Sequence, residues 1–385
     1  AELDGLPSEL PAAERLQAAT IRGLALQRRG ELKRAREVLD EALATRTRKD
    51  AARRLEAQAI QGRVLLDQGE AEAAAALCPS VKDAPRAVEG VGLLEIGGLA
   101  RFYGGDLEAA REFFDEATSR AQQTEDDARL ARALCYGGMV RQTAGELDEA
   151  ATCYADASRL AEQQHDLHGQ ALYAGNLGAV LKEQGRLAEA LEPSVLAVRR
   201  MIQLGKTGDL PTALFNLGNL LLCLGDLEGA ARELSLMAQE AERVGRPMMR
   251  GYLLMLASDL KRRAAEEGRE LPGTLPEVVR GRKPAELAEE AARVFAKIGA
   301  SREQAYACIA ELECWAAGGR PEEAARADAE LAALLPDLED RVKHLADLAR
   351  GRLSLAGGVL PEAEQGLERA SAFFADAQLN DLTWR

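Results

Sequence analysis

Apolar residues recur every three or four positions along most of the chain, with charged residues between them, the mark of amphipathic helices. The pattern is complete between 127 and 163. Residues 127–143 read as one helix, Ala144, Gly145 and Glu146 as a turn, and residues 147–163 as a second helix with Leu147, Ala150, Tyr154 and Ala157 on its buried stripe. The acidic turn residue suits the positive end of the second helix. This punctuation repeats: a turn Gly with Ala five positions later stands at Gly30 (GELKRA), Gly69 (GEAEAA), Gly105 (GDLEAA), Gly145 (GELDEA), Gly185 (GRLAEA), Gly225 (GDLEGA), Gly319 (GRPEEA) and Gly358 (GVLPEA). The spacings are 39, 36, 40, 40 and 40, then 94, then 39, so the long gap accommodates two repeats and one insertion.

Another Gly stands seven positions before the turn, at Gly23, Gly62, Gly98, Gly138, Gly178, Gly218 and Gly351, inside otherwise strong helix formers. Each costs about 1 kcal/mol against Ala in a helix interior, so packing must require it. The expectation is a hairpin of two antiparallel helices whose small residues, the first-helix Gly and the second-helix Ala, meet where the backbones cross. Repeat seven is irregular. Ser258 takes the place of the Gly, and residues 266–284, with three prolines and three glycines, form a loop before the second helix resumes at Ala285.

Nine and twelve positions after the turn Gly come a large apolar residue and Ala: Leu39 and Ala42, Phe114 and Ala117, Tyr154 and Ala157, Leu367 and Ala370. This motif resembles the tetratricopeptide repeat (TPR) family, and the unit of about 40 residues is similar to the extended repeats of kinesin light chains, cell-polarity adaptors and bacterial signalling proteins. Cys78 and Val81, Ser194, Met237, and Asp328 and Leu331 depart from it. The resemblance implies an all-α fold, a right-handed α-solenoid of about nine helix-turn-helix repeats. They fall at about 12–48, 49–83, 84–123, 124–164, 165–205, 206–246, 247–299 with the inserted loop 266–284, 300–338 and 339–376, with a tail at 377–385. The 385 residues thus form one extended array rather than two or three separate globular domains.

With 47% hydrophobic and 29% charged residues the chain has enough apolar surface to fold. Its formal charge of -14 repels phosphate backbones and acidic lipid, so neither nucleic acid nor membrane is an expected partner. Six cysteines without a C-x-x-C pair point to a reducing cytoplasm. An Ala-rich chain with forty Arg to nine Lys and no initial Met reads as a piece of a larger protein from a GC-rich bacterium.

Catalytic patterns are few. Gly205, Lys206 and Thr207 match the end of a phosphate loop, but Arg200 stands where an earlier Gly is needed and a helix precedes it. His165 and His168 lack further zinc ligands. Neither G-x-S-x-G nor H-E-x-x-H occurs. No enzyme activity, cofactor or metal is expected.

The TPR resemblance implies that first helices line a concave groove through positions 13, 10, 9, 6, 3 and 2 before the turn Gly. Those slots hold Gly92, Glu95, Ile96, Leu99, Phe102 and Tyr103 in repeat three, and Arg132, Cys135, Tyr136, Met139, Gln142 and Thr143 in repeat four. In repeat five they hold Leu172, Gly175, Asn176, Ala179, Lys182 and Glu183, and in repeat six Thr212, Phe215, Asn216, Asn219, Leu222 and Cys223. The candidate ligand contacts are Phe102, Tyr103, Arg132, Tyr136, Met139, Asn176, Lys182, Phe215, Asn216 and Asn219, with Arg280, Arg282 and Lys283 as a cationic spot on the loop. Asn176 and Asn216 share one slot, and an amide that both donates and accepts suits an extended peptide backbone. The expected function is a non-catalytic scaffold that binds a protein or peptide in the groove, as the regulatory or sensor region of a larger bacterial signalling protein. The alternative is an autonomous peptide receptor or adaptor complete in this chain. An intramolecular domain partner and self-association are further expectations, the latter because the stretch 371–385, with Phe373, Phe374 and Trp384, is apolar for a solvated end.

Overall fold

The computed structural model describes residues 11–44, 51–86, 88–205, 210–245, 247–271, 275–338 and 340–376. Lys206, Thr207 and the tail at 377–385 with Trp384 therefore lie outside the described residues. The fold is all-α: eighteen α-helices and no strand occur among the described residues. Two compact units divide the chain, Ala1–Gly169 and Gln170–Arg385.

In chain order the helices are α1 (Ala12–Arg28), α2 (Leu32–Ala44), α3 (Ala51–Asp67), α4 (Ala71–Ala75), α5 (Val91–Tyr103), α6 (Leu107–Gln123), α7 (Asp127–Thr143), α8 (Leu147–Gln163) and α9 (Leu167–Glu183). They continue as α10 (Leu187–Gln203), α11 (Leu210–Cys223), α12 (Leu227–Val244), α13 (Pro247–Glu266), α14 (Pro284–Lys297), α15 (Ser301–Ala317), α16 (Pro321–Leu334), α17 (Asp340–Ala356) and α18 (Leu360–Asp376). Odd-numbered helices are the first of each hairpin and even-numbered ones the second. The α7–α8 hairpin has the bounds its sequence predicts, and Leu147, Ala150, Tyr154 and Ala157 are all buried.

Capping and turn chemistry set the hairpin ends. Gly145 adopts φ +85°, a left-handed conformation that costs a side chain about 1 kcal/mol or more. The side chains of Asp106 and Asp226 accept hydrogen bonds from the backbone amides of Ala109 (3.0 Å) and Gly229 (2.7 Å), so α6 and α12 begin with a satisfied donor. Pro284 and Pro321 occupy first helical positions, where no amide donor is required.

The internal glycines sit at close helix contacts, as their spacing predicts, and at most of them the nearest neighbour is a large side chain rather than the second-helix Ala. Gly98 seats the Phe114 ring and Gly138 the Tyr154 ring, so that an added Cβ would stand 2.7 Å and 2.9 Å from those rings. The partner is the large residue nine positions after the turn, which enters the gap that the missing side chain leaves. In repeat five that residue is small, Ser194, and the helices close up until a Cβ on Gly178 would collide with its hydroxyl and approach its backbone amide at 3.2 Å. In repeat six the seat serves the next hairpin instead, because a Cβ added to Gly218 would stand 2.6 Å from the Leu256 side chain of α13.

Repeat two departs further. Its second helix, α4, has only five residues and gives way to short 3-10 turns at Val81–Asp83 and Val88–Gly90. Pro79 disfavours helix at the residue before it and offers no amide donor. The carbonyls left without helical partners are taken up by guanidinium groups: Arg101 donates to Pro79 O (2.5 Å) and Arg120 to Pro85 O (2.8 Å).

Candidate ligand-binding site

In the second unit, the slots read from the sequence fall on α9 and α11. Asn176, Lys182, Phe215, Asn216 and Asn219 are all half-buried. Phe215 packs against the core and tilts onto Tyr252 of α13, ring centroids 4.7 Å apart, and Tyr252 in turn meets Phe295 edge-on at 5.6 Å. It therefore braces α11 against α13 more than it presents a free anchor. Asn176 is already engaged with a neighbour. Asn216 and Asn219, three positions apart and so on one side of α11, make no side-chain hydrogen bond among the described residues.

The same slots continue on α13, α15 and α17 as a chain of ion pairs that the sequence reading missed. Arg262 lies 2.8 Å from Glu266, 3.6 Å from Asp259 and 3.4 Å from Glu313 of α15, whose other oxygen is 2.7 Å from Arg352 of α17. Burial opposes the charge on Arg262, yet Asp259, Glu313 and Glu266 together raise its pKa. Burial also pushes the Asp259 carboxyl above the usual carboxylate range, with Glu313 adding to the effect. Glu313 and Arg352 stand six positions before Gly319 and Gly358, so the slot rule finds them once it is carried past repeat six.

In the first unit the expected groove is largely filled. Glu95, Ile96, Leu99 and Cys135, assigned to exposed slots, are instead buried, because α3 and α7 both pack on α5. Glu95 has 3% of its surface exposed and accepts from Arg132 Nε at 2.9 and 2.8 Å. Arg132 is thus a locally paired charge. Arg63 of α3 donates to the Tyr136 hydroxyl at 2.7 Å and lies over its ring. It stands six positions before Gly69, itself a groove slot. Phe102, Tyr136 and Met139 pack on the cluster of Leu99, Ala110, Phe114 and Val140, whereas Tyr103 is 63% exposed.

Of the loop cations Arg280 and Lys283 are exposed and Arg282 is half-buried. Arg280 donates to Leu275 O (2.9 Å), Arg282 pairs with Glu290 (2.7 Å), and the backbone amide of Lys283 donates to the Glu286 carboxylate (3.2 Å). Lys261 of α13 donates to Arg282 O (2.6 Å). These bonds fasten the loop to α13 and α14. The Lys283 side chain alone of the three cations has no partner among the described residues.

Burial pushes the Cys78 thiol up to about 11 and those of Cys308 and Cys314 up to about 12, so at neutral pH none of the three is a ready nucleophile. Among the described residues no group of three or more His, Cys, Asp or Glu side chains could hold a metal ion, and no helix is long and apolar enough to cross a membrane.

No known family description matches the sequence, and no curated protein matches it. Solved structures share its architecture. A Rap protein complexed with competence and sporulation factor superposes with a TM-score of 0.66 at 12% identity, covering 95% of this chain and 99% of that one. A STAND signal-transduction ATPase with a tetratricopeptide repeat sensor, from Pyrococcus horikoshii, gives 0.56 at 14% identity over 90% of this chain and 54% of its own length. The fold is that of TPR-type helical-repeat proteins. The apo quorum sensor NprR from B. thuringiensis has it too, with a TM-score of 0.60 at 14% identity over 85% of this chain and 89% of that one.

Proposed function

We propose that this chain is a non-catalytic receptor for a short extended peptide, held on the α9–α11 face of the second unit and read by the ion pairs that follow on α13, α15 and α17. The observation that carries the reading is the pair Asn216 and Asn219. Two half-exposed amides on one side of a helix, without hydrogen bonds among the described residues, can each donate to and accept from a peptide backbone. Leaving such groups unpaired is costly once a ligand covers them, which favours a ligand that satisfies both.

The likeness to a Rap protein solved with a signalling factor, and to a quorum sensor, fits a receptor of bacterial signalling peptides. The six free cysteines fit a reducing cytoplasm. Two arrangements serve this reading, a sensor region within a larger signalling protein and an autonomous receptor.

The test is an array of pentapeptides and hexapeptides probed with the full chain and with Asn216→Ala/Asn219→Ala. Peptides bound by the wild type and lost by the variant, with helical signal and melting temperature unchanged, support the reading. Equal capture by both proteins removes the α11 amides from recognition and overturns it.

A further inference from the structure

Away from the amides of α11, a half-open cavity of about 480 Å³ lies between α12, α13 and α14. None of its lining residues belongs to α9 or α11. Its walls are apolar: Ala238 and Ala241 of α12, Leu253 of α13, and Val294 with Ile298 at the end of α14. Val278, from the 3-10 turn Glu277–Val279 of the inserted loop, adds to the apolar lining. The loop thus encloses a space between two successive second helices. It is held there by Glu290, whose carboxylate takes Arg250 of α13 on one oxygen (2.7 Å) and Arg282 of the loop on the other (2.7 Å).

Charge at this cavity is unbalanced. Arg250, Lys297 and Glu242 line it. Glu290 is shared between two guanidinium groups, so among the described lining and paired residues Arg250, Arg282 and Lys297 outnumber Glu242 and Glu290 by one positive charge, in a chain of net charge -14. Lys297 is exposed and has no ion-pair partner among the described residues. The volume lies in the lower half of the range of about 300–1,000 Å³ typical of small-molecule sites, and such sites combine apolar walls with a few polar groups.

We infer that this cavity binds a small amphipathic carboxylate, its apolar body against Ala238, Ala241, Leu253, Val278 and Val294 and its carboxylate toward Lys297 and Arg250. This site is independent of the peptide face. A ligand there bridges α12, α14 and the loop, and so acts on the insertion that sets this hairpin apart.

Isothermal titration of the full chain with octanoate tests the inference, with octan-1-ol as the uncharged control. Octanoate binds about tenfold or more tighter than octanol if the carboxylate meets the cations, a difference that corresponds to about 1.4 kcal/mol. Lys297→Glu erases that preference while the apolar body still binds, and Val278→Trp, which fills the cavity from the loop side, abolishes binding of both. Circular dichroism confirms that each variant is folded, and the exposed Lys297 position keeps the test available if Val278→Trp is not. Absence of octanoate binding at millimolar concentration, equal affinity for octanoate and octanol, or wild-type affinity in Lys297→Glu overturns the inference.

Discussion

Arg352 on α17 lies 2.7 Å from Glu313 on α15, and the second oxygen of Glu313 lies 3.4 Å from Arg262 on α13, so one carboxylate ties three hairpins together. Glu313 and Arg262 are mostly shielded from solvent, at 17% and 16% side-chain exposure, which limits screening by salt. A double-mutant cycle of Glu313→Gln and Arg352→Met should give a coupling on the order of 1 kcal/mol in chemical denaturation. Arg352 is a third exposed, so a larger value is not expected. Additive effects of the two changes would show that the pair contributes nothing beyond its separate packing.

In repeat five the glycine meets backbone of the second helix as well as a side chain. Gly178→Leu should lower stability by about 1–3 kcal/mol, because the new side chain meets Ser194 and the backbone carbonyl of Ala190 rather than a movable ring. A thermal melt unchanged from wild type would show that the helices can part there without loss.

Glu311 is 2% exposed and accepts one hydrogen bond, from Trp315 Nε1 at 3.0 Å. Burial raises its pKa, only partly offset by that bond. The folded chain therefore holds the proton more tightly than the unfolded chain. Its contribution to stability is fully present below the ordinary carboxylate range and is lost as pH rises through the folded-state value. Glu311→Gln keeps an acceptor for Trp315 and removes the charge, so it should melt higher than wild type at pH 8 and converge with it near pH 4. A constant difference across that range would rule out this carboxyl as its source.

Glu290 has the opposite sign. Burial raises its pKa, but the hydrogen bonds from Arg250 and Arg282 outweigh that and hold it below the usual range. Its contribution is present above the ordinary carboxylate range and disappears on acidification. Glu290→Ala should release the loop, and trypsin should then cut after Arg280 and Arg282 several-fold faster at pH 8. Unchanged cleavage would mean that the Lys261 bond to the Arg282 carbonyl holds the loop without the carboxylate.

Much of this architecture was legible because it is punctuated locally. A left-handed turn Gly between them, the Asp126 cap of α7 and helical apolar spacing set the ends of α7 and α8 without reference to any other hairpin. Errors arose where the answer lay in a neighbour. Glu95 counts as exposed by its offset, yet α3 and α7 cover it, and a salt bridge to Arg132 makes its burial tolerable. Gly218 looks like its counterparts but serves Leu256 of the next hairpin. The fate of the loop arginines depended on Glu290, whose position beside them follows only once α13 and α14 are packed. The slots place Asn216 and Asn219 on α11, where the peptide site is proposed, whereas Phe215 is tied to Tyr252, a contact that its own repeat does not encode.

The turn glycines Gly30, Gly69, Gly105, Gly145, Gly225, Gly319 and Gly358 have open space where a side chain would project. Such a junction can be opened without disturbing the packed crossings behind it, and the one long detour in this chain, between α13 and α14, contains two left-handed glycines of the same kind, Gly268 and Gly281. Each hairpin tip is in that sense a splice point. New chain can be tried there by insertion, and retained or discarded over generations, while the rest of the array keeps its register.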